Sequence, residues 1–334
     1  MNAGVALAES GCWQDWHAPD VPLRLGVSAC LLGENVRYDG GHARDTFVAD
    51  TLGQWVEFVP VCPEMEIGMG TPRPTVRLVD DGRGTRLVAP STGQDFTERM
   101  LAYAQTKIAE LSQLDLDGYI LKKSSPSCGM ERLPVYRNGR PWRRDSPGLF
   151  AGRLLELWPA LPSEEEGRLN NPKLRENFIE RVFCRNRWRV LVKRGLSRQS
   201  LVQFHTAHKL LLRAHNEAAY RRLGKLVAGF GTVPDHELFA AYESSFQNAL
   251  RAQATRKKHA NVLYHALGYL KKALGPMEKH QLLTAIEDYR GGLLPLIVPL
   301  TLLRYEIRRH GVEYLAGQLY FDPHPKELML RNHV

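Results

Sequence analysis

No run of eighteen or more apolar residues occurs in this sequence. Its longest candidate, Leu293 to Leu303, is short and is broken by Pro295 and Pro299, so no membrane span is expected. Residues 1–22 lack the basic start and apolar core of a secretory signal and read as a flexible arm. Cysteine is scarce. The five residues, Cys12, Cys30, Cys62, Cys128 and Cys184, are too few and too scattered for a disulfide framework. Together these absences point to a cytoplasmic protein, in a reducing compartment where thiols serve metals or catalysis. The C-x-x-C and H-E-x-x-H patterns are also missing, as is any fixed-period repeat, and Gly40-Gly41 alone is too weak a signal for a phosphate loop.

What is present begins with length. The 334 residues, 43% of them hydrophobic, leave room for two domains. Net charge is +9, unevenly spread. Residues 1–166 carry 17 Lys and Arg against 23 Asp and Glu, a balance of −6; residues 167–334 carry 28 against 13, a balance of +15. Such asymmetry points to a polyanionic partner for the second half.

The first half alternates strand and helix patterns. Leu25 to Ala29 and Trp55 to Cys62 read as strands, a hairpin turns at Asp81-Gly82, Phe96 to Leu114 has helical periodicity, and Gly118 to Leu121 is a third core strand. Strand–helix–strand order predicts an α/β fold with a Rossmann-like parallel sheet over 23–166. Leu161 to Gly167, with its Glu164-Glu165-Glu166 run, reads as a domain boundary. Asn171-Pro172 then opens a helix. A connecting helix is expected over 167–190 and an all-α basic domain over 191–330. Candidate helices span 172–193, 197–214, 215–229, 234–273, 276–290, 293–310 and 311–319.

Three cysteines follow predicted strands directly: Cys30 in V-S-A-C-L-L-G, Cys62 in V-P-V-C-P-E and Cys128 in S-S-P-S-C-G. Ligands of open parallel sheets collect at the carboxyl ends of the strands, so the three can converge. They read as three unrelated buried thiols, as a zinc site short of a fourth ligand, or as a three-thiolate iron–sulfur site, where four cysteines are usual. Cys12 and Cys184 lack turn residues around them and read as structural.

Around the three lie other candidates. Glu64 and Glu66 stand two and four residues after Cys62, in reach of acid–base work or as plain loop acids. Thr71-Pro72-Arg73-Pro74 is a stiff turn that would fix Arg73 for an anion such as phosphate. Arg37, Tyr38 and Asp39 follow Cys30, as a turn or as contacts for phosphate and base. Lys122 leads into Ser125 and Ser127, which either cap the Cys128 turn or act on a ligand. In the second half, basic and aromatic residues interleave over 181–194, 204–215 and 256–272, as an RNA-tracking surface or as solvated helix faces. His205, His208 and His215 read as packing or RNA-facing residues.

These words together resemble a known family. S-A-C-L-L-G with R-Y-D-G, V-C-P-E with T-P-R-P, and K-x-S-S-P-S-C-G are similar to the thiouracil desulfidase family over about residues 23–160. F-H-T-A-H-K-L-L-L, H-A-N-V-L-Y-H-A-L-G-Y and P-H-P-K-E-L-M-L-R-N resemble the YbgA-type helical domain, and the fused pair resembles the bacterial tRNA 4-thiouridine desulfidases. The resemblance implies a [4Fe-4S] cluster on Cys30, Cys62 and Cys128, a catalytic acid at Glu64, and assistance from Ser125. It implies redox-neutral conversion of 4-thiouridine in tRNA to uridine, with hydrosulfide released and the thiocarbonyl sulfur captured at the iron that no cysteine holds. Arg37, Tyr38, Asp39, Arg73, Lys122 and Ser127 are the candidate substrate contacts. The M-E-I-G-M-G stretch differs from the Gln-Leu-Gly form of stand-alone members, which leaves the substrate open. Two alternatives stand beside tRNA: free thiouracil or thiouridine nucleotides as substrate, or a metal-stabilised RNA-binding module with no activity.

Overall fold

A computed structural model describes residues 13–231 and 233–334. The described residues divide into two units, Pro22–Asn171 and a second made of residues 13–21 with Pro172–Val334.

In the first unit, strands β1 (Arg24–Ser28), β2 (Glu57–Val61), β3 (Arg77–Asp80), β4 (Thr85–Val88), β5 (Gly118–Leu121), β6 (Leu133–Arg137), β7 (Arg140–Ser146) and β8 (Ser163–Glu165) form two sheets. The main sheet has the order β2-β1-β5-β8, and every neighbour pair in it is parallel. All four strands therefore end on one edge. Leu25, Val27, Ile120 and Leu121 are buried to 0% exposure, as the continuous apolar runs of a doubly covered sheet require. Gly26 serves packing: a Cβ there would lie 2.3 Å from the Tyr119 ring on the neighbouring strand. Helices α1 (Pro63–Glu66), α2 (Thr97–Ser112) and α3 (Leu149–Leu157) complete the unit, with Met100, Ala104 and Ile108 of α2 and Phe150 and Leu154 of α3 in its core. The second sheet, order β4-β3-β6-β7, contains the expected hairpin and a further one that the sequence reading passed over.

Glu164, Glu165 and Glu166, read as part of the boundary stretch, sit at an edge of the main sheet: β8 (Ser163–Glu165) is an edge strand, and all three acids are buried. Each finds a partner. Arg168 Nε donates to Glu164 (2.6 Å), the Met130 amide to Glu165 (2.7 Å), and the Lys123 amide to Glu166 (2.7 Å). A charged run conceals a strand from any reading based on hydrophobicity.

The second unit is helical: α4 (Pro172–Lys193), α5 (Arg198–Ala207), α6 (Lys209–His215), α7 (Glu217–Ala228), α8 (Asp235–Leu250), α9 (Arg256–Leu270), α10 (Pro276–Gly291), α11 (Ile297–Arg309) and α12 (Glu313–Ala316). The expected helix 197–214 divides at His208, and 234–273 breaks before Thr255, whose side chain caps α9. Most of the expected connector at 167–190 is α4 itself, which gives Cys184, Trp188 and Leu191 to the core of the helical unit. Of the expected arm, residues 1–12 lie outside the described residues. Residues 13–21 pack on the helical unit, where Ala18 and Val21 are buried with Val190.

That core is unusually polar. Arg331 donates to Glu176 (2.9 Å) and Glu180 (2.7 Å), and Glu180 meets His215 Nε2 at 2.9 Å. Arg187 reaches His208 at 3.1 Å and the Pro323 carbonyl at 2.8 Å. His205, His208 and His215 are therefore interior packing residues. Burial holds His205 down to about 4, and burial with the nearby Arg331 charge holds His259 to about 3 and His324 to about 4. Unfolded histidine protonates near pH 6.5. The stability these neutral rings contribute is complete above that pH and is lost as pH falls through the folded values. Thermal unfolding of the full chain should show the helical unit's transition dropping between pH 6.5 and 4; a transition unmoved across that range would contradict this.

Candidate active site at the strand ends

Cys30 stands in the turn after β1, Cys62 immediately follows β2, and Cys128 ends the turn after β5. Parallel pairing puts these three strand ends side by side. There they border a cavity of about 450 Å³ lined by all three cysteines, with Glu64, Arg37, Tyr38, Arg73, Lys122 and Ser125 among its other residues. The sequence reading missed Ser28, Lys123 and Ser124 in this lining.

Burial pushes the Cys30 thiol up to about 11, with the Lys122 charge opposing and the Cys62 thiol adding to the rise. Burial also raises Cys62 and Cys128. Such thiols stay protonated unless a cation replaces the protons. Among the described residues, no three His, Cys, Asp or Glu side chains gather around a point as a single metal ion requires. The soft donors are spread around a void instead. Three soft donors on one cavity fit an iron–sulfur group by their chemistry. Cys184 belongs to the helical core, its sulfur accepting from Arg187 at 3.1 Å.

Glu64 opens α1 beside Cys62. Its Oε2 accepts from Arg73 Nε (2.9 Å) and Nη2 (2.6 Å), and its Oε1 accepts from the Ser127 hydroxyl (2.9 Å). Arg73 spends its other donor on the Val36 carbonyl (2.9 Å) and the Gly70 carbonyl (2.8 Å). The anion that Arg73 meets in this structure is Glu64 itself: its side chain is 3% exposed, and most of its donors are committed to Glu64 and to the Val36 and Gly70 carbonyls. Glu66 turns away, accepting from the Cys62 amide (3.3 Å) and pairing with Lys107 (2.8 Å).

The two serines divide the expected roles differently. Ser127 is fully buried and acts on Glu64, so it positions a carboxylate and does not meet a ligand. Ser125 lines the cavity, and its oxygen accepts from the Ser127 amide (3.2 Å) and the Cys128 amide (3.1 Å), fixing the turn that presents Cys128. Lys122 lines the cavity and pairs with Glu166. Arg37 and the half-exposed Tyr38 are also on the wall. Asp39 is not: it accepts from the Gly41 amide at 3.1 Å and closes the turn. Gly148 is required for close packing, since a Cβ there would lie 2.6 Å from the Ser127 backbone.

Residues 25–166 match the family model for 2-thiouracil desulfurase, and residues 209–325 match a family of unknown function, DUF1722. The uncharacterized protein YbbK of Bacillus subtilis (strain 168) is 32% identical over 108 residues, 31% of this chain and 71% of that protein. The uncharacterized protein YbgA of Escherichia coli (strain K12) is 29% identical over 165 residues, 49% of this chain and 98% of that protein. A solved structure of a [4Fe-4S]-dependent thiouracil desulfidase, TudS, is 30% identical, with 44% of this chain and 93% of that chain covered, at a TM-score of 0.37.

The division between the serines is testable. A hydrogen bond to a charged group contributes about 1.5–3 kcal/mol, so Ser127→Ala should lower turnover of a thiolated pyrimidine about 10- to 100-fold with metal content unchanged. Ser125→Ala should instead lower metal retention, because the Cys128 turn loosens. Equal metal loss in both variants would contradict this division. By the family model over residues 25–166 and the similarity to the Bacillus protein, the chain belongs to the 2-thiouracil desulfurase family.

Proposed function

We propose that this protein is an iron–sulfur-dependent desulfidase that converts 4-thiouridine in tRNA to uridine and releases hydrosulfide. The observation that carries the reading is the ring of three thiols around one cavity with a fixed carboxylate beside it. Cys30, Cys62 and Cys128 would hold a [4Fe-4S] cluster. When bound, such a cluster supplies a soft Lewis-acidic iron for a thiocarbonyl sulfur.

The remaining work falls to the chain. Tyr38, half-exposed at the cavity wall, offers a ring for the pyrimidine to stack on, and Arg37 and Lys122 set a positive wall. Arg73 and Ser127 hold Glu64 from two sides, which leaves its remaining lone pairs to orient a water and take its proton. The reaction exchanges water for hydrosulfide at one carbon: a C–S bond breaks, a C–O bond forms, and no electrons are needed.

Two further observations favour tRNA over a free base. The second half of the chain carries a charge of +15, and the structure leaves basic side chains such as Arg221, Arg222, Lys271 and Lys272 on the surface of the helical unit. Phosphate contacts of that kind can offset the few kcal/mol that taking a base out of its stack costs. Free thiouracil or thiouridine nucleotides are the competing substrates.

Anaerobically prepared protein should hold about four irons and should abolish the thiouridine absorbance of thiolated tRNA. Cys62→Ala should lose both properties. Fully loaded protein that leaves tRNA thiouridine intact while consuming free thiouracil would move the substrate to the free base. Intact thiouridine and intact thiouracil together would overturn the enzyme reading.

A further inference from the structure

The α/β unit has a basic surface of its own, separate from the charge of the helical half. Residues 132–144 contain Arg132, Arg137, Arg140, Arg143 and Arg144 and no acid, within a half of the chain whose balance is −6. They form the β6–β7 hairpin at the outer edge of the second sheet. Its tip is Asn138-Gly139, both at positive φ (49° and 78°), the pattern of a tight type I′ turn.

This hairpin grows out of the active-site turn. β6 starts five residues after Cys128. At the other end, the Gly148 amide donates to the Gly129 carbonyl (2.8 Å), the Leu149 amide to Pro126 (3.1 Å) and the Phe150 amide to Ser127 (3.1 Å). β3, which pairs in parallel with β6, begins one residue after the cavity-lining Thr75 and Val76. Both strands thus lead outward from the cavity. At about 3.3 Å per residue, five residues of β6 carry the tip roughly 16 Å away, the length of about five stacked nucleotides.

The side chains are arranged for a planar, anionic partner. Val135 pairs with Arg143 and Tyr136 with Pro141, so Trp142 is the unpaired bulge residue between them. A bulge re-aims a side chain, and here the indole is 48% exposed. The Arg137 guanidinium lies 3.5 Å from its ring centroid. Asp80 holds Arg137 at 2.9 Å and Arg143 at 3.9 Å, which fixes that stack. Arg140 and Arg144 are exposed and have no ion-pair partner among the described residues. An added peptide strand is a poor occupant, because Pro141 and two register shifts interrupt the ladder at this edge. Exposed tryptophan between unpaired arginines matches the stacking and phosphate contacts of unpaired nucleic acid.

We propose that the β6–β7 hairpin grips the RNA strand next to the base being processed, with an unstacked base on Trp142 and phosphates on Arg140 and Arg144. The proposal rests on the tRNA reading above, and the test separates the two. The anaerobic holoenzyme is compared as wild type, Arg140→Ala/Arg144→Ala, Trp142→Ala and Trp142→Phe. Readouts are binding of thiolated tRNA against salt, and turnover of tRNA against free 4-thiouridine.

Loss of two phosphate contacts should make the slope of log affinity on log salt shallower by about 1.5. Trp142→Ala should raise KM for tRNA about 5- to 100-fold, and Trp142→Phe should recover most of that. Turnover of free 4-thiouridine should be unchanged in all four proteins, which also shows the variants are folded. Wild type that binds tRNA with variants that bind it equally well would overturn the hairpin proposal alone. Wild type without salt-sensitive tRNA binding would overturn the tRNA reading and this proposal together.

Discussion

The carboxylate of Glu64 is the point at which the three cysteine-bearing loops meet. It stands two residues after Cys62. Arg73 grips it and at the same time holds the Val36 carbonyl in the loop after Cys30. Ser127 grips it from the residue before Cys128. Half-buried between them, this charge would be expensive if either partner were lost, and the loops cannot shift independently while both remain. A protonation site and a soft donor set are thereby fixed by the same few hydrogen bonds. Other local features serve that arrangement. The parallel main sheet delivers the loops to one edge, and Gly26 and Gly148 allow the close backbone approaches it needs.

Much of this was legible in the sequence, and the reasons differ by residue. Cys30 and Cys62 could be placed because each ends an apolar run that must be a buried strand, and Cys128 because it ends a Ser/Pro turn after such a strand. Glu64 was legible from its nearness to Cys62. Arg73 was recognised as an anion holder, but a sequence does not say that the anion is internal. Ser125 and Ser127 could not be told apart, since two hydroxyls two residues apart on one turn differ only in the direction the turn sends them. β8 was hidden because burial of Glu164, Glu165 and Glu166 depends on donors distant in sequence, among them Lys122 and the Met130 amide. The β6–β7 hairpin had a readable signal, Asn138-Gly139 between alternating residues, which the arginines around it obscured.

The helical half teaches a different lesson about charge. A balance of +15 reads as surface, yet Arg187 and Arg331 are core residues, and the histidines of its recurrent words are interior hydrogen-bond partners. The buried Glu176, Glu180 and Glu306 offset those two arginines, so the positive excess of this half is left on its exposed helix faces. The first half, acidic in total, has the arginine hairpin beside the cysteine turn. Basic surface occurs in both units, although the totals assign it to one.

The site is an incomplete thiolate shell: three cysteines, no fourth among the described residues, and a carboxylate held beside the gap. Mössbauer spectroscopy of the iron-57 protein, prepared anaerobically, tests this most directly. One iron of four should give its own doublet, and only that doublet should shift when 4-thiouridine is added. Four equivalent irons with a spectrum indifferent to 4-thiouridine would contradict it.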